Sequence, residues 1–471
     1  MRFLVTIPPF DLFKEGYGSK RSIRRGQLPP LGMGAIAGVA LKAGIDTTIL
    51  DPSASGWGFE RTLDEIRKFS PDVVGISSLT SYRNQAFKLA DMVKSALGVP
   101  VIIGGPQATC FPEETITATK SVDYIVLGEG DTTIVPLLKC IARKERPRGL
   151  KGVAFADGET IINNGNSDIE QDLDALPSIP RSLYNNLLYS PLPYAYRRLP
   201  ATVIITSRGC SYSKCAFCFS AGRMKARYRR HSPERVIDEI GRLVKDFKVK
   251  EILFFDDNFL VNKRWVMAFC GLLERSGIDI TWSALGRVDT VDQEMLKRVA
   301  SVGCWSIYYG LESGVQRLLD IIEKGITVEG IRRAVKWTHE AGMETRGSFM
   351  LAIPGETPAD AMATIDFAVS LDLDYAQFNA TFPDPGTKIY DLALSQGKIK
   401  TYRGISRATF VPDGYKDDTE VERMVSLGYK KFYFRPYYIW KRVKSIRSFS
   451  DIVRYAEGLQ FIRGLRENLN A

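Results

Sequence analysis

The sequence predicts an α/β protein: an N-terminal doubly wound parallel sheet, an incomplete (β/α)6 barrel after it, and a mainly helical C-terminal tail. Two series of short β-type runs alternating with helix-length segments predict this, because that alternation marks parallel sheets wrapped by helices. A proline-punctuated joint, Leu173-Asp-Ala-Leu-Pro-Ser-Ile-Pro180, divides the two series. With 471 residues, 45% of them hydrophobic and 25% charged, the chain has material for two cores. The expected divisions are 1–143, a linker with a hairpin at 144–198, the barrel at 199–390 and the tail at 391–471.

The first series has strand-like runs at 3–7, 47–50, 73–77, 101–103 and 124–127. Ligands of such sheets bind beyond the carboxyl ends of the strands, so the turns there carry information. They read Pro8-Pro9, Asp51-Pro-Ser-Ala-Ser-Gly56, Ser78-Leu-Thr-Ser-Tyr-Arg83, Gly104-Gly-Pro-Gln-Ala-Thr109 and Gly128-Glu-Gly-Asp131. Taken alone they fit either a ligand site or ordinary βα turns. The stretch Leu28-Pro-Pro-Leu-Gly-Met-Gly-Ala-Ile-Ala-Gly38 follows a long connection instead of a strand, which argues against a dinucleotide loop. Its Gly and Ala pattern suits tight helix packing. In the joint, Gly152-Val-Ala-Phe-Ala-Asp-Gly-Glu-Thr-Ile-Ile162 reads as a hairpin turning at Asp157-Gly158.

The second series begins with a strand at 202–206 and continues with strands near 250–255, 280–284, 305–309, 345–351 and 374–380. Helices are expected near 232–246, 262–276, 291–302, 327–342 and 357–371, the last capped by Thr357. In a βα barrel the active site lies at the carboxyl ends of the strands. Directly after the first of these strands stands Cys210-Ser-Tyr-Ser-Lys-Cys215-Ala-Phe-Cys218, three of the seven cysteines within nine residues. Clustered thiolates suggest a metal. An iron–sulfur cube held by three of them keeps one iron open to a small molecule. A zinc site is the competing reading, but it wants a fourth Cys or His close by, and the nearest are His231 and Cys270.

The loop resembles the signature of radical S-adenosylmethionine (SAM) enzymes, with C-x4-C in place of the usual C-x3-C before the final x2-C. The first half is similar to the N-terminal domain of the cobalamin-binding members of that superfamily, in its Pro-Pro-Leu-Gly, Gly-Gly-Pro and Leu-Gly-Glu-Gly turns in order. The resemblance covers about residues 1–390 and extends to cobalamin-dependent methyltransferases and to the anaerobic porphyrin-ring cyclase and hopanoid-associated relatives. It implies a [4Fe–4S] cluster on Cys210, Cys215 and Cys218, with SAM on the open iron. It also implies cobalamin beside Ser78, Leu79, Thr80 and Tyr82, with Gly104, Gly105, Pro106, Gln107, Gly128, Glu129 and Gly130 bordering its nucleotide tail. The two histidines are His231 and His339, outside the first domain, so the cobalt is expected to lack a histidine ligand.

The same resemblance assigns SAM contacts at the later strand ends. Asp256 and Asp257 lie near the amino group, with capping of the next helix as the structural alternative. Arg287 is a partner for the carboxylate, a surface pair with Asp289 being the alternative. Tyr309-Gly-Leu-Glu312-Ser313-Gly314 resembles the family's G-x-E-S-G, in which Glu312 accepts the ribose hydroxyls. Lys324-Gly325 fits the pattern as well, although Lys324 alone reads as a solvated helix end. In Leu351-Ala-Ile-Pro-Gly-Glu-Thr357, relatives often have Gly where this chain has Ala352. Asn379 completes the set, ahead of Pro383-Asp-Pro-Gly-Thr387.

The expected function is methyl transfer to an unactivated carbon, through a 5′-deoxyadenosyl radical and methylcobalamin, under anaerobic conditions. Two alternatives stay open: a non-methylating cyclase, rearrangement or carbon–carbon coupling, and a cobalamin-binding sensor with a structural metal. The expected partners are a small-molecule or lipid substrate and a flavodoxin- or ferredoxin-type reductant. Scattered cysteines without a disulfide framework, no secretory signal and no apolar run of about 18 residues point to a cytoplasmic protein. Of the net charge of +10, +7 lies in residues 430–447 among aromatic side chains. Such a stretch suits peripheral membrane contact; its alternative is a tail helix whose aromatics pack on the barrel while its cations are solvated. Nucleic acid is not expected.

Overall fold

The structure is a computed structural model that describes residues 1–11, 14–15, 26–221, 227–395, 399–400, 407–444 and 446. The chain divides into two compact units, the first holding the N-terminal strand with residues 27–190, the second holding the chain from 191 onward.

The first unit is built on β1 (Arg2–Thr6), β2 (Asp46–Leu50), β3 (Val73–Ser77), β4 (Val101–Gly104), β5 (Tyr124–Val126), β6 (Val153–Asp157) and β7 (Thr160–Asn163). They lie in the order β2-β1-β3-β4-β5-β6-β7, with β1 to β5 parallel and β6 and β7 antiparallel. Both faces are apolar, as a sheet covered by helices on both sides requires. Leu4, Val74, Ile76 and Ile103 pack toward one side, and Phe3, Val5, Val73 and Ile102 toward the other. The hairpin read as part of the linker is β6 and β7, so it extends this sheet: Ile125 pairs with Ala154 and closes an edge that β5 would otherwise expose. The Gly pattern of helix Leu31–Lys42 has a packing cause. A Cβ on Gly34 would stand 2.5 Å from Ile179 and 2.6 Å from the Tyr184 hydroxyl, and one on Gly38 would stand 3.1 Å from the Ser178 carbonyl.

The second unit is built on β8 (Ala201–Ile204), a short antiparallel ribbon of β9 (Ser207–Arg208) and β10 (Arg229–Arg230), then β11 (Glu251–Phe254), β12 (Thr281–Gly286), β13 (Cys304–Glu312), β14 (Glu344–Leu351) and β15 (Tyr375–Ala380). The six long strands are all parallel and run in sequence order from β8 to β15. One face, with Ile252, Phe254, Trp282, Ile307, Tyr309, Phe349 and Phe378, is sealed by helices Pro233–Phe247, Lys263–Ser276, Gln293–Ser301, Val328–Glu340 and Pro358–Ser370. Thr357 caps the last of these, with Asp360 completing a capping box.

After β15, helix Asp418–Tyr433 packs on the sheet, the Tyr433 hydroxyl bonding both backbone groups of Ala376. Helix Pro436–Lys444 follows, and, as one reading of the tail expected, aromatic side chains pack inward, Phe432 and Tyr438 being buried. That reading's solvated cations hold only in part: Lys444 is exposed, whereas others face the protein. Arg442 is buried against Asp374, Lys441 reaches Asp372 at 2.9 Å, and on the preceding helix Lys431 pairs with Asp366. The exposed side carries Phe434, Tyr437, Ile439, Trp440 and Val443. Arg447 lies outside the described residues.

Candidate active site

The cysteine loop is clamped at its base. β9 and β10 pair Ser207 with Arg230 and Arg208 with Arg229, so the chain leaves and returns through one ribbon. Asp256, fully buried just past β11, fixes this base. Its Oδ1 accepts the Thr206 amide at 3.0 Å, the Thr206 hydroxyl at 2.8 Å and the Ser207 hydroxyl. Burial raises its carboxyl above the usual range, against those bonds and the nearby Arg230. Its Oδ2 is buried without a hydrogen bond. Helix Lys263–Ser276 is capped by Asn262, so neither Asp256 nor Asp257 is spent on capping. Asp257 is exposed at the strand end, its carboxyl raised by desolvation and by Asp256.

Within the loop, the four-residue spacer turns at Ser213, whose φ of 43° is left-handed and whose hydroxyl donates to the Cys210 carbonyl at 2.5 Å. Tyr212 extends to the Glu323 carbonyl at 2.9 Å. A Cβ on Gly325 would stand 2.1 Å from that hydroxyl, which gives the Lys-Gly pair its glycine. Between Cys215 and Cys218, the Ala216 amide donates to the Ile322 carbonyl and its carbonyl accepts from the Ile389 amide, so the loop is pinned on two sides.

Two cations face the loop. Arg287 forms a forked pair with Asp289 (3.0 and 2.9 Å), donates Nη2 to the Lys324 carbonyl at 2.9 Å, lies 3.9 Å over the Tyr212 ring and places Nη1 3.8 Å from the Cys215 sulfur. The Asp289 pair and the inward approach therefore coexist. Lys324 is buried, contrary to the solvated helix end that its sequence context suggests, and its ammonium meets Glu312 at 2.7 Å. Burial raises the Cys215 thiol, while Lys324 and Arg287 oppose that shift and so favour the thiolate.

Glu312 ends β13 at a register irregularity and adopts a left-handed φ of 63°. A Cβ on Gly310 would stand 2.6 Å from its Oε1 and 2.9 Å from the Lys324 nitrogen, so the glycine of G-x-E makes room for the ion pair. Ser313 is turned away, its hydroxyl shared with Thr364 at 3.0 Å and accepting the Val315 amide. Asn379 accepts from Gln377 on the partly exposed face of β15. After β14, Ala352 takes a φ of 62°, and the buried Glu356 holds that turn through the Ala352 amide and the Tyr415 hydroxyl, each at 2.6 Å. Burial raises the Glu356 carboxyl to about 7.

The donors suit an iron–sulfur cluster better than a single ion. Three free thiols, Cys210, Cys215 and Cys218, are half-buried on one loop, the ligand number of an iron–sulfur cube with one iron open, whereas structural zinc asks for four ligands. Tyr212 and Lys324 complete the site. Tyr212 carries no sequence signal; the Lys-Gly pattern marks Lys324 without its burial.

In the first unit, the turns after β3, β4 and β5 lie side by side. The Ser78 carbonyl accepts the Gln107 amide at 3.1 Å, and Thr109 links to the Gly128 amide at 3.0 Å. Gly105, with φ 97°, has no room for a side chain: a Cβ would lie 2.9 Å from the Ser78 carbonyl. Helix Pro106–Cys110 starts there, and Gly130 packs on Ile36. Leu79 is exposed, Thr80–Tyr82 forms a helical turn, and the Tyr82 ring lies 5.3 Å from Phe10. The Ser78 hydroxyl and both amide atoms of Gln107 are buried without partners. Orphaned polar atoms beside a glycine cradle fit a polar group of a ligand.

The fold and site define an α/β enzyme with a cysteine-loop centre at the ends of one parallel sheet and a glycine-lined cradle on another. Residues 204–368 match the radical SAM superfamily and residues 23–138 match the B12 binding domain. An uncharacterized methyltransferase of Pyrococcus horikoshii is 32% identical over 444 residues, covering 93% of each chain. The anaerobic magnesium-protoporphyrin IX monomethyl ester cyclase of Cereibacter sphaeroides is 27% identical, over 88% of this chain and 69% of its own. The solved cobalamin-dependent radical enzyme OxsB shares the fold with a TM-score of 0.75 at 16% identity, over 98% of this chain and 71% of its own. The chain belongs to the radical SAM superfamily, in the group that carries a B12-binding domain. It is an enzyme, and membership implies a [4Fe–4S] cluster, SAM and cobalamin. The sensor alternative is thereby set aside.

Proposed function

We propose that this chain is a cobalamin-dependent methyltransferase acting on an unactivated carbon of a small molecule, its second unit being the incomplete (β/α)6 barrel. The observation that carries the proposal is the joining of the clamped cysteine loop to Arg287 and Glu312 on consecutive strand ends and to Lys324 beyond helix Gln316–Ile321. Cys210, Cys215 and Cys218 would hold the cluster; Ser78, Gln107 and the turns at Gly104–Gly105 and Gly128–Gly130 would hold cobalamin, without a histidine from residues 1–190. Together these groups supply reductive cleavage of SAM and storage of a methyl group.

The protein's part is placement. Glu312, with Oε1 held by Lys324, keeps its other oxygen for the ribose hydroxyls of SAM. Arg287 keeps Nη1 toward the loop, where a carboxylate would replace the weak sulfur contact. Asp256 and the exposed Asp257 would stabilise the positive charge of the amino group. Anaerobic turnover with methyl-labelled SAM and a flavodoxin-type reductant tests the proposal: label in the product is expected. Formation of 5′-deoxyadenosine with an unlabelled product would favour the second reading, a cyclase-type reaction, which the cyclase relative supports.

We further infer contact with an anionic membrane surface through the outward apolar side of helix Pro436–Lys444. Among the described residues, no helix is long and apolar enough to cross a membrane.

A further inference from the structure

The open face of the second sheet carries a cation that the described protein leaves unneutralised. Along β13, β14 and β15, Tyr309, Phe349 and Phe378 are buried beneath helices, whereas Tyr308, Ser348, Gln377 and Asn379 on the opposite face stay partly exposed. Arg346 stands on this second face, in register with Tyr308 and Tyr375. It is 6% exposed. Its Nε donates to the Ser306 hydroxyl at 3.1 Å, its only side-chain hydrogen bond among the described residues, and no carboxylate lies within ion-pair range. The rings of Trp305 and Tyr308, 5.7 and 5.8 Å away, soften the charge without supplying a counter-ion. A guanidinium has five N–H donors, so four remain unspent at a site where a lone buried charge is costly.

A polar track leads from this position toward the rim. The Tyr308 hydroxyl donates to Gln377 Oε1 at 2.9 Å, and Gln377 Nε2 donates to Asn379 at 3.3 Å. Glu312 pairs in register with Phe349, three residues beyond Arg346, which at the strand rise is about 10 Å. A molecule of that length with its charged end on Arg346 presents its other end at the rim.

We propose that Arg346 anchors an oxyanion, a carboxylate or phosphoryl group, at the far end of the small-molecule substrate. The proposal rests on the active-site reading above, and it makes Arg346 a specificity residue for acidic substrates. The planar fork matches either oxyanion bidentately.

The reconstituted holoenzyme is titrated anaerobically, in chloride buffer, with methylphosphonate and in a parallel arm with acetate, while its thermal midpoint is followed. R346M and R346K are treated alike, and iron content is measured on every sample. The wild-type midpoint is expected to rise saturably with at least one probe, and the responding arm separates phosphoryl from carboxylate. R346M should lose that response with a probe-free midpoint no lower than wild type, and R346K should respond at higher probe concentration. A wild type indifferent to both probes, or an R346M response equal to wild type, would overturn the proposal. So would an R346M midpoint lowered equally with and without probe, the mark of a structural arginine. Iron content and 5′-deoxyadenosine formation in the wild type report on the active-site reading separately.

Discussion

Lys324 and Glu312 meet at 2.7 Å, each about nine-tenths buried, and Gly310 is the residue that lets them do so. The pair ties the end of β13 to the segment carrying the Lys324 carbonyl that receives Arg287. One contact therefore positions both the acid and the guanidinium that face the cysteine loop.

Gly310→Ala should force this pair apart, because backbone fixes the new Cβ. The atoms it meets are the far ends of two flexible side chains, so the ion-pair geometry should change with little loss of stability. SAM affinity, read by equilibrium dialysis, should fall while iron content stays at the wild-type level. Unchanged SAM binding would remove Glu312 from the SAM site.

Lys324→Met leaves a buried carboxylate unpaired, and breaking such a pair costs about 3–5 kcal/mol. Chemical unfolding should show the loss in the second unit. The double variant Lys324→Met with Glu312→Leu should recover most of it, since no charge is then stranded.

Replacing Cys210, Cys215 or Cys218 singly by Ala should abolish the cluster, lowering iron after anaerobic reconstitution from about four per chain toward zero. Cys270→Ala and Cys304→Ala, buried thiols away from the loop, should retain it.

Glu356 predicts a pH dependence of stability. Its folded-state value of about 7 lies above the ordinary 4.5, so the folded chain holds a proton that the unfolded chain has lost. Its contribution is therefore full below pH 4.5 and declines as pH rises to about 7, by on the order of 3 kcal/mol at 1.36 kcal/mol per unit. Glu356→Gln should flatten this slope, measured as unfolding midpoints at pH 5 and pH 8. An identical slope in the variant would show that Glu356 does not titrate there.

For the tail, Tyr437→Ser with Trp440→Ser should abolish flotation with anionic liposomes, since both residues are exposed. Arg442→Met should instead lower the melting temperature by removing the buried cation on Asp374, which keeps Lys441 and His339 as partners. Flotation equal to wild type in the double serine variant would remove this helix as the membrane contact.

Much of the fold was legible because alternation and glycine turns are local signals. The strand expected at 73–77 is β3 to the residue, and the helix expected near 357–371 forms with its Thr357 cap. β13 extends three residues past its expected end because the irregularity at Gly310 and Glu312 depends on β14, which no local pattern reports. The burial of Lys324, the role of Tyr212 and the pairing of β6 with β5 are likewise long-range. In the tail the helices and the inward aromatics of one reading are found, but not the pairing of its cations: their acid partners, Asp366, Asp372 and Asp374, lie 65 to 69 residues earlier, and charge counting along the helix cannot see them.

The ribbon of β9 and β10 makes the cysteine loop a cassette. Its two ends leave the sheet as neighbours and Asp256 locks one of them, while the turn between Cys210 and Cys215 is made at Ser213, on the far side of the ribbon from β8 and β11. The ribbon thus fixes where the loop starts and ends independently of how many residues lie between Cys210 and Cys215, which in this chain is four.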